Sequence, residues 1–271
     1  MTMTIHRTAI VADGAQIDPS VEIGPYAVIG PNVKIGRGTK IGPHAVIDGV
    51  TTIGENCHIF AGASIGLEPQ DLSYKDEPTG VIIGDRVTIR EYVTIHRASH
   101  EGFTVVGDEC FLMNYVHIAH HCKLGRGVIM ANSTMLAGYG VVGDHAVFSG
   151  AIIVHQHVRI GRLCLISGLS GVRVDLPPFT TTSGRRPRVR GINVIGMRRA
   201  KFGPAVRAAI KEAYRIIYRT EMNITQALEK IEQEVEQFPE IQEIITFYRT
   251  SKRGVVGRNE PSTDGEGGED A

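Results

Sequence analysis

The sequence contains no tryptophan, and only 6% of its residues are aromatic. A core built around bulky rings is therefore excluded. The 32 glycines and the 42% of hydrophobic residues instead favour thin aliphatic layers joined by tight turns, which is typical of all-β repeat folds. The chain of 271 residues is long enough to bury a sizeable core of this kind.

Net charge, long apolar runs and a secretion signal are also missing. The 29 Lys and Arg residues balance 29 Asp and Glu residues, so attraction of the whole molecule to nucleic acid has no support. No apolar stretch reaches the roughly 20 residues that a bilayer requires. The start, MTMTIHRTAI, lacks a basic region followed by an apolar one. These absences predict a cytoplasmic protein that neither binds nucleic acid nor inserts stably into a membrane.

A repeat of six residues organises the first part of the chain. From Ile5 to Ile65, every sixth residue is Ile or Val, and the fourth residue after it is small or β-branched. A period of six fits a solenoid of short strands and turns. Three such hexads make one triangular coil, so residues 18 apart stack at about 4.8 Å, the spacing of neighbouring strands. The sequence therefore predicts an all-β solenoid followed by helices.

The interruptions of this pattern predict the domain organisation. Loops are expected at about 67–82 and 98–105, and the hexads then continue to residue 166. Asp175-Leu176-Pro177-Pro178 ends the repeat, and a basic connector follows at 185–190. Apolar residues at helical spacing predict three helices that begin near Pro204, Ile224 and Pro239. The predicted parts are a repeat domain at 1–190, a helical domain at 191–250 and a disordered, acid-rich tail at 251–271.

The four cysteines share one position of the hexad. Cys57, Cys110, Cys122 and Cys164 each stand four residues after the repeating aliphatic residue, in the small interior slot. We therefore interpret them as core residues rather than as disulfides or metal ligands, which agrees with a reducing compartment.

A cluster of histidines is the main candidate for chemistry. The segment HIAHHC at 117–122 places three imidazoles where the repeat requires none. The spacing of 18 puts His120, Gly138 and Gln156 in one column, within about 10 Å of each other. Two neighbouring columns contain His121, Tyr139 and His157, and Ala119, Ala137 and His155.

Two other interpretations of the cluster remain. Three histidines can hold a metal ion, but His120 and His121 are neighbours that do not converge easily, and the residue five positions after His117 is Cys122, which points inward. The cluster can also be a set of solvated polar residues on an outer face. We expect no metal.

The column suggests acyl transfer with a histidine base. An imidazole with a pKa of about 6.5 accepts a proton from a hydroxyl or an amine near neutral pH. A backbone N–H near Gly138 can stabilise an oxyanion. Because no Ser or Cys shares the His120 column, direct attack of an acceptor on a thioester is more plausible than a covalent acyl-enzyme.

Longer motifs resemble the bacterial UDP-N-acetylglucosamine acyltransferase family over nearly all of residues 1–250. The matching segments are PQDLSYKDEPT at 69–79, TIHR at 94–97, HIAHHCKLG at 117–125, AN at 131–132, LAG at 136–138, VHQ at 154–156, SGLSGVRVDLPP at 167–178 and GINVIGMRR at 191–199. The resemblance implies a left-handed parallel β-helix and a homotrimer with sites between subunits. It also implies transfer of a 3-hydroxyacyl group from acyl carrier protein to the sugar 3-OH, the first step of lipid A synthesis. No cofactor is implied beyond the phosphopantetheine of the carrier protein.

The same resemblance implies roles for individual residues. His120 is the general base, and the Gly138 amide stabilises the oxyanion. Gly168 matches the position that limits acyl length, and its missing side chain suggests room for a longer chain. Contacts with the UDP-sugar or the pantetheine arm are implied for Asp71, Ser73, His117, Tyr139, His155, Gln156, Asn193, Arg198 and Arg199.

Several positions differ from the family pattern. The family usually has Lys at Ser73, Asp or Asn at His121 and His at Tyr139, while Glu and Arg of some members are replaced by Ile195 and Ala200. These differences bear on the acceptor more than on acyl transfer. A variant acceptor such as an amino-sugar nucleotide is therefore one alternative, and a noncatalytic solenoid that binds carrier protein or sugar nucleotide is another.

Overall fold

The computed structural model describes residues 4–257, which form 28 short strands, β1 to β28, and four helices, α1 to α4. Nearly all the strands belong to a triangular coil with one parallel sheet on each side. Sheet 1 contains β1 Thr4–Ile5, β4 Glu22–Ile23, β7 Lys40–Ile41, β10 His58–Ile59, β13 Thr88–Ile89, β16 Phe111–Leu112, β19 Ile129–Met130, β22 Val147–Phe148, β25 Leu165–Ile166, β27 Thr180–Ser183 and β28 Arg188–Ile192.

The other two sheets interleave with sheet 1 along the chain. Sheet 2 contains β2 Ile10–Val11, β5 Val28–Ile29, β8 Val46–Ile47, β11 Ser64–Leu67, β14 Thr94–His96, β17 His117–Ile118, β20 Met135–Leu136, β23 Ile153–Val154 and β26 Gly171–Val172. Sheet 3 contains β3 Gln16–Ile17, β6 Lys34–Ile35, β9 Val50–Ile53, β12 Gly80–Ile83, β15 Phe103–Val106, β18 Lys123–Leu124, β21 Val141–Val142 and β24 Arg159–Ile160.

The pairing register confirms the predicted coil of three hexads. Ile5 pairs with Ile23, and Ile118 pairs with Leu136, each 18 residues apart. Where the first loop intervenes, Ile59 pairs with Ile89, a separation of 30, which is 18 plus two hexads. The second interruption changes the phase, because Thr88 pairs with Phe111 at a separation of 23.

The core lies inside the coil and consists of the two positions that the repeat predicts. The second residue of most two-residue strands, such as Ile29 and Ile118, is buried, while the first faces outward. The small slot holds residues such as Ala45, and it also holds the cysteines. All four cysteines are buried and free, so the prediction that they are core residues is confirmed.

The two loops are shorter than the predicted ranges. Strand β11 continues to Leu67, β12 already begins at Gly80, and β15 begins at Phe103. Gly80–Ile83 pairs with β9 on one side and with β15 on the other, so parallel hydrogen bonds continue further than the hexad pattern indicates. The segments that leave the coil are residues 68–79 and 97–102.

The end of the coil differs from the predicted basic connector. Residues 188–192 form β28, which pairs antiparallel with β27 and crosses the boundary placed at 190/191. A short helix that the sequence analysis missed, α1 Val194–Arg199, follows. Its N-cap is Asn193, whose side chain accepts a hydrogen bond from the Gly196 amide at 2.9 Å.

The three predicted helices are confirmed as α2 Pro204–Arg219, α3 Ile224–Glu234 and α4 Pro239–Arg249. Prolines begin α2 and α4, and Asn223 and Gln226 form a capping box at the start of α3. The apolar faces pack on one another and on Leu163 and Phe179 at the end of the coil. The helices therefore cover the last coil.

Residues 251–257 contradict the prediction of a tail that is disordered from Ser251. Val256 is buried, and its amide donates to the Asp175 carbonyl at 3.0 Å. The Asp175 carboxylate accepts from Ser251 at 2.8 Å and from Arg159 at 2.9 Å. The ordered structure of residues 251–257 cannot be recognised from the sequence, because this segment has few apolar residues and its partners lie about 80 positions away. The rest of the predicted tail, 258–271, lies outside the described residues.

The close stacking of coils predicts the effect of one methyl group. A Cβ added at Gly36 would lie 2.8 Å from the carbonyl carbon and oxygen of Gly54 in the next coil, whereas a Cβ added at Gly191 would meet nothing within 4 Å. We expect Gly36→Ala to lower stability by about 1–3 kcal/mol and Gly191→Ala to change it by less than about 0.5 kcal/mol. Thermal melts at equal protein concentration measure both, and equal melting temperatures for the two variants would contradict this packing.

Candidate active site

His120 lies in the turn that connects β17 of sheet 2 with β18 of sheet 3, and the coils above it supply its neighbours. The Tyr139 amide donates to the His120 carbonyl at 3.0 Å, and the His157 amide donates to the Gly138 carbonyl at 2.9 Å. These bonds join residues 19 apart, and the rings of His121 and Tyr139, which are 18 apart, stack with 4.3 Å between centroids. The predicted columns are therefore confirmed.

Gly138 lies against the imidazole of His120. A Cβ at Gly138 would be 2.6 Å from His120 Nε2 and 2.5 Å from Cε1, so no side chain fits here without moving the ring. Within residues 4–257, the Gly138 amide N–H has no hydrogen-bond acceptor. The coil does not need this N–H, because Pro25 and Pro43 occupy the same turn position elsewhere.

Three side chains surround the His120 ring. Its Nδ1 is 3.1 Å from Nδ1 of His121, and its Nε2 is 4.0 Å from Oδ2 of Asp71. The Tyr139 ring meets it edge-on, with 5.4 Å between the ring centroids. Burial lowers the pKa of His120 below its usual 6.5, and the nearby Asp71 carboxylate opposes this shift only in part. The imidazole is therefore neutral near pH 7 and able to accept a proton.

Asp71 comes to the site on the first loop and is held there as a carboxylate. Its Oδ1 accepts hydrogen bonds from the Ser73 hydroxyl at 2.6 Å and from the Ser73 amide at 3.0 Å. These bonds hold the pKa of Asp71 far below its usual range. Ser73 also lies 3.3 Å from Nε2 of His100 on the second interruption. The loop thus places a permanent negative charge beside His120.

Arg97 fastens this loop to the coil, a role that the sequence analysis did not assign. Its Nε and Nη2 donate to the Tyr74 hydroxyl at 3.0 and 2.8 Å, and its Nη1 donates to the Gly66 carbonyl at 3.0 Å. Glu68 lies 3.7 Å from Nη2. The TIHR motif contains this residue, but its type alone does not identify a partner 23 positions away.

Two further histidines, His96 and His117, lie on strands of sheet 2 close to this turn. Nδ1 of His117 lies 2.7 Å from the Thr94 hydroxyl, and its ring meets the His96 ring edge-on at 5.0 Å. Burial lowers the pKa of His96 to about 4, so this ring is neutral. His155 and Gln156 are exposed neighbours two coils further along. They border the same turn and sheet as His120.

The other predicted site residues lie elsewhere on this chain. Gly168 occupies the turn between β25 and β26, at the edge where sheets 1 and 2 meet. Asn193 and Arg199 line a groove of about 800 Å³ against sheet 1, and Arg198 is exposed on the same short helix. The side chain of Asn193 is already used, since it caps α1 and donates to the Leu163 carbonyl at 2.9 Å.

In residues 4–257, no group of three or more His, Cys, Asp or Glu side chains has a geometry that could hold a metal ion. The three imidazoles of the HIAHHC segment instead take separate partners: Thr94 for His117, and each other for His120 and His121.

Comparison with known proteins identifies the family. Residues 14–49 and 103–138 match the model of the bacterial transferase hexapeptide (six repeats), and residues 175–256 match domain 2 of UDP-N-acetylglucosamine O-acyltransferase. The chain is 50% identical to the acyl-[acyl-carrier-protein]–UDP-N-acetylglucosamine O-acyltransferase of Thermodesulfovibrio yellowstonii, over 93% of this chain and 98% of the relative. It belongs to this acyltransferase family.

Further relatives and solved structures agree with this assignment. The family member of Syntrophobacter fumaroxidans is 46% identical over 94% of this chain and 100% of its own. The UDP-N-acetylglucosamine acyltransferase structure from Bacteroides fragilis superposes with a TM-score of 0.91 at 40% identity, covering 93% of this chain and 100% of that one. The structure from Acinetobacter baumannii gives a TM-score of 0.90 at 39% identity, covering 93% and 99%.

These neighbours confirm the predicted fold, a left-handed parallel β-helix followed by helices, and identify the chain as an enzyme, an acyltransferase. The family that the sequence motifs indicated is confirmed as well. Among residues 4–257, no helix of this acyltransferase combines the length and the apolar character needed to cross a bilayer.

The anchoring of the loop by Arg97 generates a test of the site's architecture. Tyr74→Phe removes the oxygen that accepts two N–H groups from Arg97, and hydrogen bonds to charged groups contribute about 1.5–3 kcal/mol. We expect amide exchange in residues 68–79 to become at least about tenfold faster, measured by hydrogen–deuterium exchange mass spectrometry. Tyr92→Phe, at an exposed turn, is the matched control and should leave this loop unchanged. Equal exchange in both variants would contradict the anchoring role.

Proposed function

We propose that this acyltransferase moves a 3-hydroxyacyl group from acyl carrier protein to the 3-OH of UDP-N-acetylglucosamine, the first step of lipid A biosynthesis. The observation that carries the proposal is the pairing of a neutral imidazole, His120, with an unused amide N–H at Gly138. The donor and acceptor are those in the names of the relatives.

The reaction begins with His120 as general base. Its Nε2 accepts the proton of the acceptor hydroxyl as the oxygen attacks the thioester carbonyl. The tetrahedral intermediate then expels the pantetheine sulfur, which takes the proton from His120, so the base is restored. Asp71, 4.0 Å from Nε2, favours the imidazolium that exists between the two steps.

Gly138 supplies the second part of the chemistry. Its N–H is free of coil hydrogen bonds and lies beside the base, so it can donate to the oxygen on which negative charge develops. Losing one such donor in other enzymes costs about 10²–10³ in turnover. The column of His120, Gly138 and Gln156 contains no Ser or Cys, which supports direct transfer without an acyl-enzyme.

The binding roles of the remaining residues stay predictions. The residues near the turn are proposed to bind the UDP-sugar: Asp71, Ser73, His117, Tyr139, His155 and Gln156. The groove on sheet 1, bordered by Asn193, Arg198 and Arg199, is proposed to bind the nucleotide or the pantetheine arm. Gly168 is proposed to contact the acyl chain. No cofactor is proposed beyond the phosphopantetheine that the donor brings.

A homotrimer would reunite these separated residues. The predicted site residues occupy different edges of one prism, so a complete site requires a neighbouring copy. Large apolar side chains are also exposed on the same coils, among them Met135 at 46%, Ile153 at 60% and Leu169 at 75%. The four free cysteines agree with a reducing, cytoplasmic location.

The assembly can be tested directly. Light scattering coupled to size-exclusion chromatography should give about three times the 29.4 kDa of one chain. Met135→Glu should shift the mass towards that of one chain, because a charge would be buried in the interface. Lys123→Glu, at an exposed outward position of sheet 3, is the control. A monomeric mass for the unsubstituted protein would contradict the trimer.

The role of His120 is tested by turnover. With 3-hydroxyacyl carrier protein and UDP-N-acetylglucosamine, His120→Ala should lower kcat by about 10²–10⁴-fold, while His6→Ala, at an exposed imidazole, should not change it. Because burial lowers the pKa of His120, the unsubstituted enzyme should keep most of its activity when the pH falls to 6.5 and lose it only below. Full activity in His120→Ala would refute the base role.

The same assay with a panel of acceptors separates the alternatives. UDP-N-acetylglucosamine should be the acceptor that reacts, and faster acylation of an amino-sugar nucleotide would favour the variant acceptor that Ser73, His121 and Tyr139 suggest. The noncatalytic alternative is set aside, because the family is one of enzymes.

A further inference from the structure

The imidazole of His121 connects His120 to a backbone carbonyl. Nε2 of His121 lies 3.1 Å from the Glu101 carbonyl oxygen, and Nδ1 of His121 lies 3.1 Å from Nδ1 of His120. The chain of contacts therefore runs from the carbonyl of Glu101 through one imidazole to the other. His121 is one of the positions at which this chain differs from the family pattern.

The direction of the hydrogen bonds follows from the chemistry of the end group. A carbonyl oxygen only accepts, so the hydrogen of His121 must be on Nε2. Burial lowers the pKa of His121, which makes the ring neutral and leaves its Nδ1 as an acceptor. Nδ1 of His120 must then donate, and Nε2 of the neutral His120 carries the free electron pair. Nε2 is the atom that faces Gly138 and Asp71.

We propose that His121 is a positioning residue that fixes His120 in the tautomer with hydrogen on Nδ1, so that Nε2 is free to accept the acceptor's proton. This inference rests on the proposed base role of His120. Where the family usually has Asp or Asn, this chain has a neutral ring, whose orientation is set by the Glu101 carbonyl.

Aromatic stacking holds the ring of His121 in place for this task. It lies parallel to Tyr139, with 4.3 Å between centroids and an angle of 7°. Tyr139 in turn stacks on His157, at 4.6 Å and 15°. The His121 backbone amide also donates to the Thr104 hydroxyl at 2.9 Å. The ring plane and both ring nitrogens are therefore determined by neighbours on three coils, as a positioning role requires.

The most specific test of the positioning role is a variant that keeps an aromatic ring at residue 121 but removes the ring nitrogens. His121→Phe preserves stacking on Tyr139. The same turn position accepts large rings in other turns, since Tyr139 in the next coil and Tyr115 at another edge both have a left-handed φ of 60°. His121→Asn returns an oxygen acceptor to His120. The matched control is His44→Phe, because His44 has a φ of 56°, stacks on Tyr26 at 5.1 Å and lies several coils from His120.

Two measurements on these full-length variants give the readout. Long-range ¹H–¹⁵N spectra of the histidine rings should show hydrogen on Nδ1 of His120 and on Nε2 of His121 in the unsubstituted protein. In His121→Phe the preference of His120 for hydrogen on Nδ1 should disappear. Its kcat should fall about 10- to 100-fold at an unchanged KM, as when the partner that orients a metal-binding histidine is lost. His121→Asn and His44→Phe should both keep the tautomer and the kcat of the unsubstituted protein.

The outcomes separate this inference from the proposed function. Hydrogen on Nε2 of His120 in the unsubstituted protein would overturn the inference, as would a His121→Phe variant with a changed tautomer and an unchanged kcat. Because the spectra do not depend on turnover, they report on the pair even if His120→Ala remains active, a result that would refute the base role itself.

Discussion

The parallel register that pairs residues 18 positions apart in neighbouring coils is the constraint on which the rest of the structure depends. A strand of two residues has little stability alone, so each coil exists because the coils above and below satisfy its backbone groups. This register stacks identical slots on one another, which explains why Ala45 and Cys57 can occupy equivalent interior positions. It also explains why the glycines next to the strands allow no Cβ: neighbouring coils approach within contact distance there.

The candidate active site combines this register with two departures from it. The coil delivers His120 and Gly138 in adjacent rungs without any special loop. The charge beside them comes from Asp71, on a segment that leaves the coil and returns two hexads later in phase. Arg97, which directly follows β14, joins the two parts, since it holds Tyr74 of the loop and the Gly66 carbonyl of β11. The coil thus holds His120, and the loop anchored by Arg97 places the Asp71 carboxylate beside it.

The sequence predicted whatever depends on periodicity. The register, the buried cysteines, the three longer helices and the columns through His120 all follow from counting in sixes or from helical spacing. Features decided by a few distant contacts were missed. The order of residues 251–257 depends on Asp175, and strand β28 forms because β27 offers it an antiparallel edge. Neither partner is visible in the local pattern.

Side-chain rotamers were beyond sequence reasoning too. Adjacent histidines in a turn can point in many directions, and the contact between His120 and His121 depends on a carbonyl 20 residues away. The predicted columns brought the right residues together but could not say which nitrogen of either ring faces the other. That assignment requires the positions of the acceptors.

The left-handed turn residues have an evolutionary consequence. At one edge, His121, Tyr139 and His157 all have φ near 60°, and their rings form a ladder outside the coil. Because these rings are not part of the interior, one can replace another without disturbing the hydrogen bonds that build the coil. The residues of such a ladder can therefore change in evolution while the fold is kept. A single substitution beside the base can exchange an acid for an imidazole, and the coil stays the same.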